Sequence, residues 1–113
     1  MSEEEVPVNN AKLDEMIRGW FVGNFTPTAY STDACEVGVK RYKASQREAS
    51  HKHLVATEIT LVLSGRIRMV GREWSEGDIV VLAPGEITDF EALTDCATVV
   101  VKVPGALDDK YLV

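Results

Sequence analysis

His51-Lys52-His53-Leu54-Val55-Ala56-Thr57-Glu58 places three candidate metal ligands inside eight residues of otherwise β-forming sequence, and six residues separate Glu58 from Gly65. On an extended strand residues two apart share a face, so His51 and His53 present their imidazoles side by side. Glu58 lies five positions beyond His53, an odd step that aims it at the opposite face of a single straight strand. The chain therefore has to bend or bulge within Leu54 to Thr57 for the carboxylate to join the rings. With that bend Glu58 opens the next strand. Two histidines and one acid then form a donor set suited to a divalent first-row ion with coordination positions left open. These are the only histidines in the chain. Ligand bonds of about 2.0–2.2 Å are expected for zinc. The donor types do not choose among zinc, manganese, iron(II), nickel and cobalt.

A second stretch, Gly77-Asp78-Ile79-Val80-Val81-Leu82-Ala83-Pro84-Gly85-Glu86-Ile87-Thr88, reads as a buried strand from Ile79 to Ala83 followed by a turn. Proline fixes the first central position of a type II turn and glycine supplies the positive φ of the second. Taken together, the two stretches resemble the paired motifs of the cupin superfamily over about residues 35 to 103. His51, His53, Glu58 and Gly65 match the first motif without a gap, and Gly77, Asp78, Pro84 and Gly85 match the second. The resemblance implies an antiparallel jelly-roll barrel with one divalent metal held near one end. It also implies metal-assisted isomerisation of a sugar-like substrate or dioxygenation, and dimerisation through the outside of a sheet. Thr88 stands where the family's third metal-binding histidine falls. A hydroxyl is a poor ligand, so the ion keeps more open positions. One residue of slippage at the Pro84-Gly85 turn would instead bring the Asp89 carboxylate inward and complete a set of two histidines and two acids.

Outward from these motifs the chain is a series of short β patterns. Ala11 to Arg18 fits a short helix capped by Asn10, and Trp20 to Phe25 fits a strand with aromatic bulk on both faces, to be covered by a second subunit or by the N-terminal tail. Cys35 to Lys43 alternates Val37, Val39 and Arg41 against Glu36, Gly38, Lys40 and Tyr42. If the valines face inward, Arg41 can anchor an acidic group of a substrate by paired hydrogen bonds. Otherwise it turns to solvent with Lys40 and Lys43. Glu58 to Ser64 is a strand with Thr60 and Val62 on the side of Glu58, and Ile59, Leu61 and Leu63 on the other. Both faces are thus largely apolar. Arg66 to Val70 sends Ile67 and Met69 to one face and both arginines to the other. Glu73-Trp74-Ser75, Thr88 to Leu93 and Ala97 to Val103 supply three more strands. Eight to ten short strands with glycine-marked turns and almost no helix make an all-β sandwich or closed barrel. Residues 1–10 read as a flexible tail, 11–105 as the barrel domain, and 106–113 as a surface extension.

The 113 residues are enough for one domain and too few for two. A net charge of −6 without a basic cluster in the sequence argues against nucleic acid as the partner and leaves a small molecule. No apolar run reaches the length of a membrane span. The acidic start Met1-Ser2-Glu3-Glu4-Glu5 lacks the basic-then-apolar pattern of a signal peptide, which predicts a cytoplasmic protein with Cys35 and Cys96 reduced. For general acid–base work beside the ion the sequence offers Asp89, Tyr42 and Arg41. It has no phosphate loop, Ser-His-Asp arrangement or dinucleotide glycine motif. Three readings follow: a metal-dependent enzyme acting on a small sugar-like or acidic molecule, a non-catalytic ligand-binding or sensing module, and a barrel with no bound ion.

Overall fold

The computed structural model describes residues 8–113. Of the expected tail, residues 1–7 lie outside the described residues. Ten strands follow in order: β1 (Trp20–Val22), β2 (Glu36–Tyr42), β3 (Arg47–Lys52), β4 (Thr57–Ser64), β5 (Arg66–Met69), β6 (Arg72–Ser75), β7 (Ile79–Leu82), β8 (Thr88–Ala92), β9 (Cys96–Val103) and β10 (Tyr111–Leu112). They form two facing five-stranded sheets, ordered β1-β2-β9-β4-β7 and β10-β3-β8-β5-β6. All the pairings between these strands are antiparallel. This is the expected jelly roll.

The alternation of side chains divides the space between the sheets in two. Along β4 the inward residues pass from Glu58 through Thr60 to Val62, and along β8 from Thr88 through Phe90 to Ala92, all of them buried. One end of the interior is therefore polar and the other apolar. The apolar end is a single cluster that includes Val62, Ile67, Met69, Val80, Leu82, Phe90 and Ala92. Removing such side chains from water contributes roughly 1.5–3 kcal/mol each, and it anchors the walls from which the polar end is built. Gly65 joins β4 to β5 at φ +79, and a Cβ there would lie 2.3 Å from the Asp95 carbonyl oxygen, so the tight return needs glycine.

The outside of the first sheet is also apolar. Val37, Val101, Ile59 and Val81 stand in register across β2, β9, β4 and β7, and Val39, Val99, Leu61 and Ile79 form the next row. The expectation of a wholly buried strand at Ile79 to Ala83 is corrected here, because Ile79 and Val81 are each 58% exposed. β7 is the edge of its sheet, and among the described residues no further layer covers Ile79 and Val81.

Two other expectations change. The helix at Ala11 to Arg18 is a single 3-10 turn, Leu13–Glu15, begun by Lys12 rather than Asn10. Met16 returns to extended backbone, and Arg18 and Gly19 both take positive φ, which stops a helix. Residues 106–113 are more than a surface extension. β10 pairs with β3, setting Tyr111 opposite Lys52 and Leu112 opposite His51, and Asp109 is buried.

Candidate metal centre

β3 lies in one sheet and β4 in the other, so the segment between them carries the chain across the barrel. Its residues 53–56 are non-strand and bent, as the odd spacing requires. Because the two strands belong to facing walls, the parity of the step from His53 to Glu58 no longer matters. His51 projects from the end of β3, His53 from the start of the crossing, and the carboxylate from the facing sheet. His51, His53 and Glu58 are all buried, and one candidate ligand atom from each lies within 4.8 Å of the others. That separation is close to twice a metal–ligand bond of about 2.0–2.2 Å. The two rings meet edge to face, with centroids 5.4 Å apart.

Hydrogen bonds hold the crossing from both sides. The Gly85 N–H, at the centre of the Pro84-Gly85 turn, donates to the His53 carbonyl at 2.6 Å. That turn has the expected form, with Gly85 at φ +90 and the Glu86 N–H donating to the Ala83 carbonyl. On the other side the Asp109 carboxylate accepts from the backbone N–H groups of Leu54, Val55 and Ala56 at 2.9–3.2 Å. Burial alone raises the Asp109 pKa. The three donors more than offset it and hold the carboxyl below its ordinary value.

The donor set fits a metal ion. His51 Nδ1 lies 2.9 Å from the Ala49 carbonyl. A carbonyl only accepts, so Nδ1 carries the proton and Nε2 keeps its lone pair. Burial first, then the positive charge of Lys102 and the neighbouring His51, bring the His53 pKa down to about 4. His53 is therefore neutral near pH 7, as a ligand must be, and its 3.7 Å approach to Glu58 is not an ion pair. Burial pushes the Glu58 carboxyl up, with Lys102 pulling the other way. His53 Nε2 and Glu58 Oε2 are buried without any hydrogen-bond partner among the described residues. Orphaned buried ligand atoms are costly, and a cation between them satisfies both.

The fold around this site has counterparts among solved structures. A double-stranded β-helix protein from Klebsiella pneumoniae is 25% identical at a TM-score of 0.65, covering 72% of this chain and 76% of its own. An RmlC-like cupin from Shewanella frigidimarina is 15% identical at 0.63, covering 69% and 72%. The chain shares the double-stranded β-helix fold of these cupin-type structures. One more neighbour, oxalate decarboxylase from Bacillus subtilis, which has Mn(II) centres, is 18% identical at a TM-score of 0.62, covering 73% of this chain and 25% of its own. No family model matches the chain, and neither does any curated protein.

In this chain the triad opens on a cavity of about 340 Å³. Thr88 is buried opposite His51, while Asp89 is exposed and reaches only the cavity wall, so the unslipped register is the one adopted. The Thr88 hydroxyl donates to the Asp89 carbonyl at 2.7 Å. Tyr42 lines the cavity and donates to Glu48. Burial, reinforced by that bond, raises the Tyr42 pKa far above its usual value. Burial raises Glu48 too, but the Tyr42 hydroxyl and Lys110 outweigh it and keep the carboxyl low. Arg41 is corrected: it is exposed and does not line this cavity, because Glu36, Gly38, Lys40 and Tyr42 form the inward face of β2. Glu48, Lys102 and Asp109 were not singled out from the sequence. Alternation from Val100 could have found Lys102, but a register shift between Glu48 and His51 hides Glu48 from such counting. Nothing local marks Asp109, whose partners lie more than fifty residues away.

Proposed function

We propose that this chain holds a divalent metal ion through His51, His53 and Glu58 and acts as an enzyme on a small polar molecule in the barrel cavity, by metal-assisted isomerisation or dioxygenation. The observation that carries the reading is the buried donor set with its two orphaned atoms, facing a cavity of about 340 Å³. Ligand sites commonly begin at about that size. When bound, such an ion supplies Lewis acidity, and iron(II) adds redox chemistry with dioxygen.

The chain's own groups have separable tasks. His51 is held in one tautomer by Ala49, and Thr88, with its proton given to Asp89, keeps lone pairs for a weak fourth contact. Tyr42 stays protonated against ionised Glu48 and serves as a hydrogen-bond or proton donor to an oxygen of the substrate. Asp89, at the cavity wall, is the remaining candidate base.

A second reading, a ligand-binding or sensing module, is favoured by Thr88 in place of a third histidine. The two apolar rows outside the first sheet support a homodimer formed through that face, and the unpaired Cys35 and Cys96 suit a cytoplasmic setting. Metal analysis of protein purified without chelator, beside His51→Ala, tests the ion. Metal in the wild type and its loss in the variant support it, and equal, negligible metal in both leaves only the barrel. Turnover against sugars, sugar nucleotides and keto acids then separates enzyme from sensor.

A further inference from the structure

The charge of the cavity opposes that of the chain. Although the protein carries a net −6, Arg18, Lys40, Lys102 and Lys110 all line the cavity beside the metal triad. They face three carboxylates, Glu48, Glu58 and Asp89. Glu48 is already engaged by Tyr42 and, at 3.5 Å, by Lys110. Glu58 is the proposed ligand of a divalent ion, and with that ion bound the excess becomes three positive charges.

The lysines are fixed by the sheet. Lys102 stands on β9 directly between Glu36 of β2 and Glu58 of β4, so its stem starts beside the triad. Its ammonium lies 5.0 Å from the centroid of the Trp20 ring, and that of Lys40 lies 4.7 Å from it. Gly38 makes this platform possible, because a Cβ there would come within 2.8 Å of the indole. Burial lowers the Lys40 pKa, and Arg18, Lys102 and Lys110 push it the same way while Glu48 opposes them. Like charges gathered in a recess repel one another, and an anion entering it relieves that repulsion.

We propose that the cavity takes a small molecule carrying a carboxylate or phosphate group, which Lys102 and Lys40 bind over the Trp20 indole with the rest of the molecule directed at the metal triad. The inference names the substrate class for the function proposed above and rests on that reading for the ion's share of the charge. The lysine pair itself belongs to the metal-free protein.

Metal-free full-length protein is titrated at low ionic strength with malonate, inorganic phosphate and, as the neutral counterpart, malonamide. Calorimetry and indole emission report binding, and Mn(II) is titrated separately. Malonate or phosphate should bind and malonamide should not, and whichever anion binds identifies the group. Lys102→Gln should weaken the anion about tenfold or more, equivalent to about 1.4 kcal/mol, with Lys102→Arg retaining most of the affinity and Mn(II) still binding to both. Lys40→Gln provides the same test if Lys102→Gln does not fold. A role in folding alone would lower the thermal midpoint without separating malonate from malonamide. Equal binding of malonate and malonamide, no binding of either anion, or unchanged anion affinity in the lysine variants overturns the proposal. Anion binding by a protein that takes up no Mn(II) upholds the anion site and removes the metal reading instead.

Discussion

Replacing Asp109 with alanine should loosen the metal motif from fifty residues away. Its carboxylate, 5% exposed, is the acceptor for three consecutive backbone N–H groups in the crossing that brings Glu58 to the histidines. The Ala56 N–H belongs to a residue 1% exposed, so water cannot readily replace the lost acceptor there. One buried donor left unsatisfied costs about 1–3 kcal/mol, and the loss of charge-assisted bonds at Leu54 and Val55, partly replaced by water, brings the total to roughly 2–4 kcal/mol. A domain of this size has about 5–15 kcal/mol of stability in all. Urea unfolding should therefore show a midpoint lower by about 0.7 M or more, given slopes of about 1–3 kcal/mol/M. Because the crossing sets where Glu58 stands relative to the rings, Mn(II) affinity in the folded variant should fall about 10- to 100-fold, as for other residues that orient ligands. An Asp109→Ala protein with both the midpoint and the Mn(II) affinity of the wild type would falsify the positioning role.

Acid should abolish the same contribution. The folded pKa of Asp109 is depressed, so its stabilisation is complete above the unfolded value, about 3.9, and is lost as pH falls through the lower folded value. The stability gap between wild type and Asp109→Ala should close below about pH 4, and a gap independent of pH would refute the assignment. Val81→Glu, on the exposed outer rows, should convert a dimer to a monomer in sedimentation while Mn(II) binding persists. A wild type that is already monomeric, or a variant that stays dimeric, counts against that face. Gly38→Ala should displace the Trp20 ring, shift its emission and destabilise by about 1–3 kcal/mol. An unchanged spectrum would mean that the indole is not packed on Gly38.

What the sequence made legible was whatever depends on local spacing. Alternation gave the inward residues of β4 and β5, Glu58, Thr60, Val62, Ile67 and Met69, and the odd step after His53 gave the bend. The Pro84-Gly85 turn was legible because only certain residues take its dihedral angles. Which face of β2 turns inward was not, since valines on one side and Gly38, Lys40 and Tyr42 on the other are both compatible with a strand covered on two faces. Apolar Val37 and Val39 belong to the outer rows, and this sends Arg41 out and Lys40 in. The bond between Asp109 and the crossing joins segments that meet only in three dimensions, as does the placing of Lys102 between Glu36 and Glu58.

On this account His51 at the end of β3, His53 at the start of the crossing and Glu58 on β4 of the facing sheet enclose one ion. Anomalous diffraction from crystals grown with Mn(II) tests it most directly. A single strong peak within ligand distance of His51, His53 and Glu58 is expected, and it should disappear in Glu58→Gln crystals. A peak elsewhere, or none with the Glu58 side chain turned away from the rings, would contradict the account.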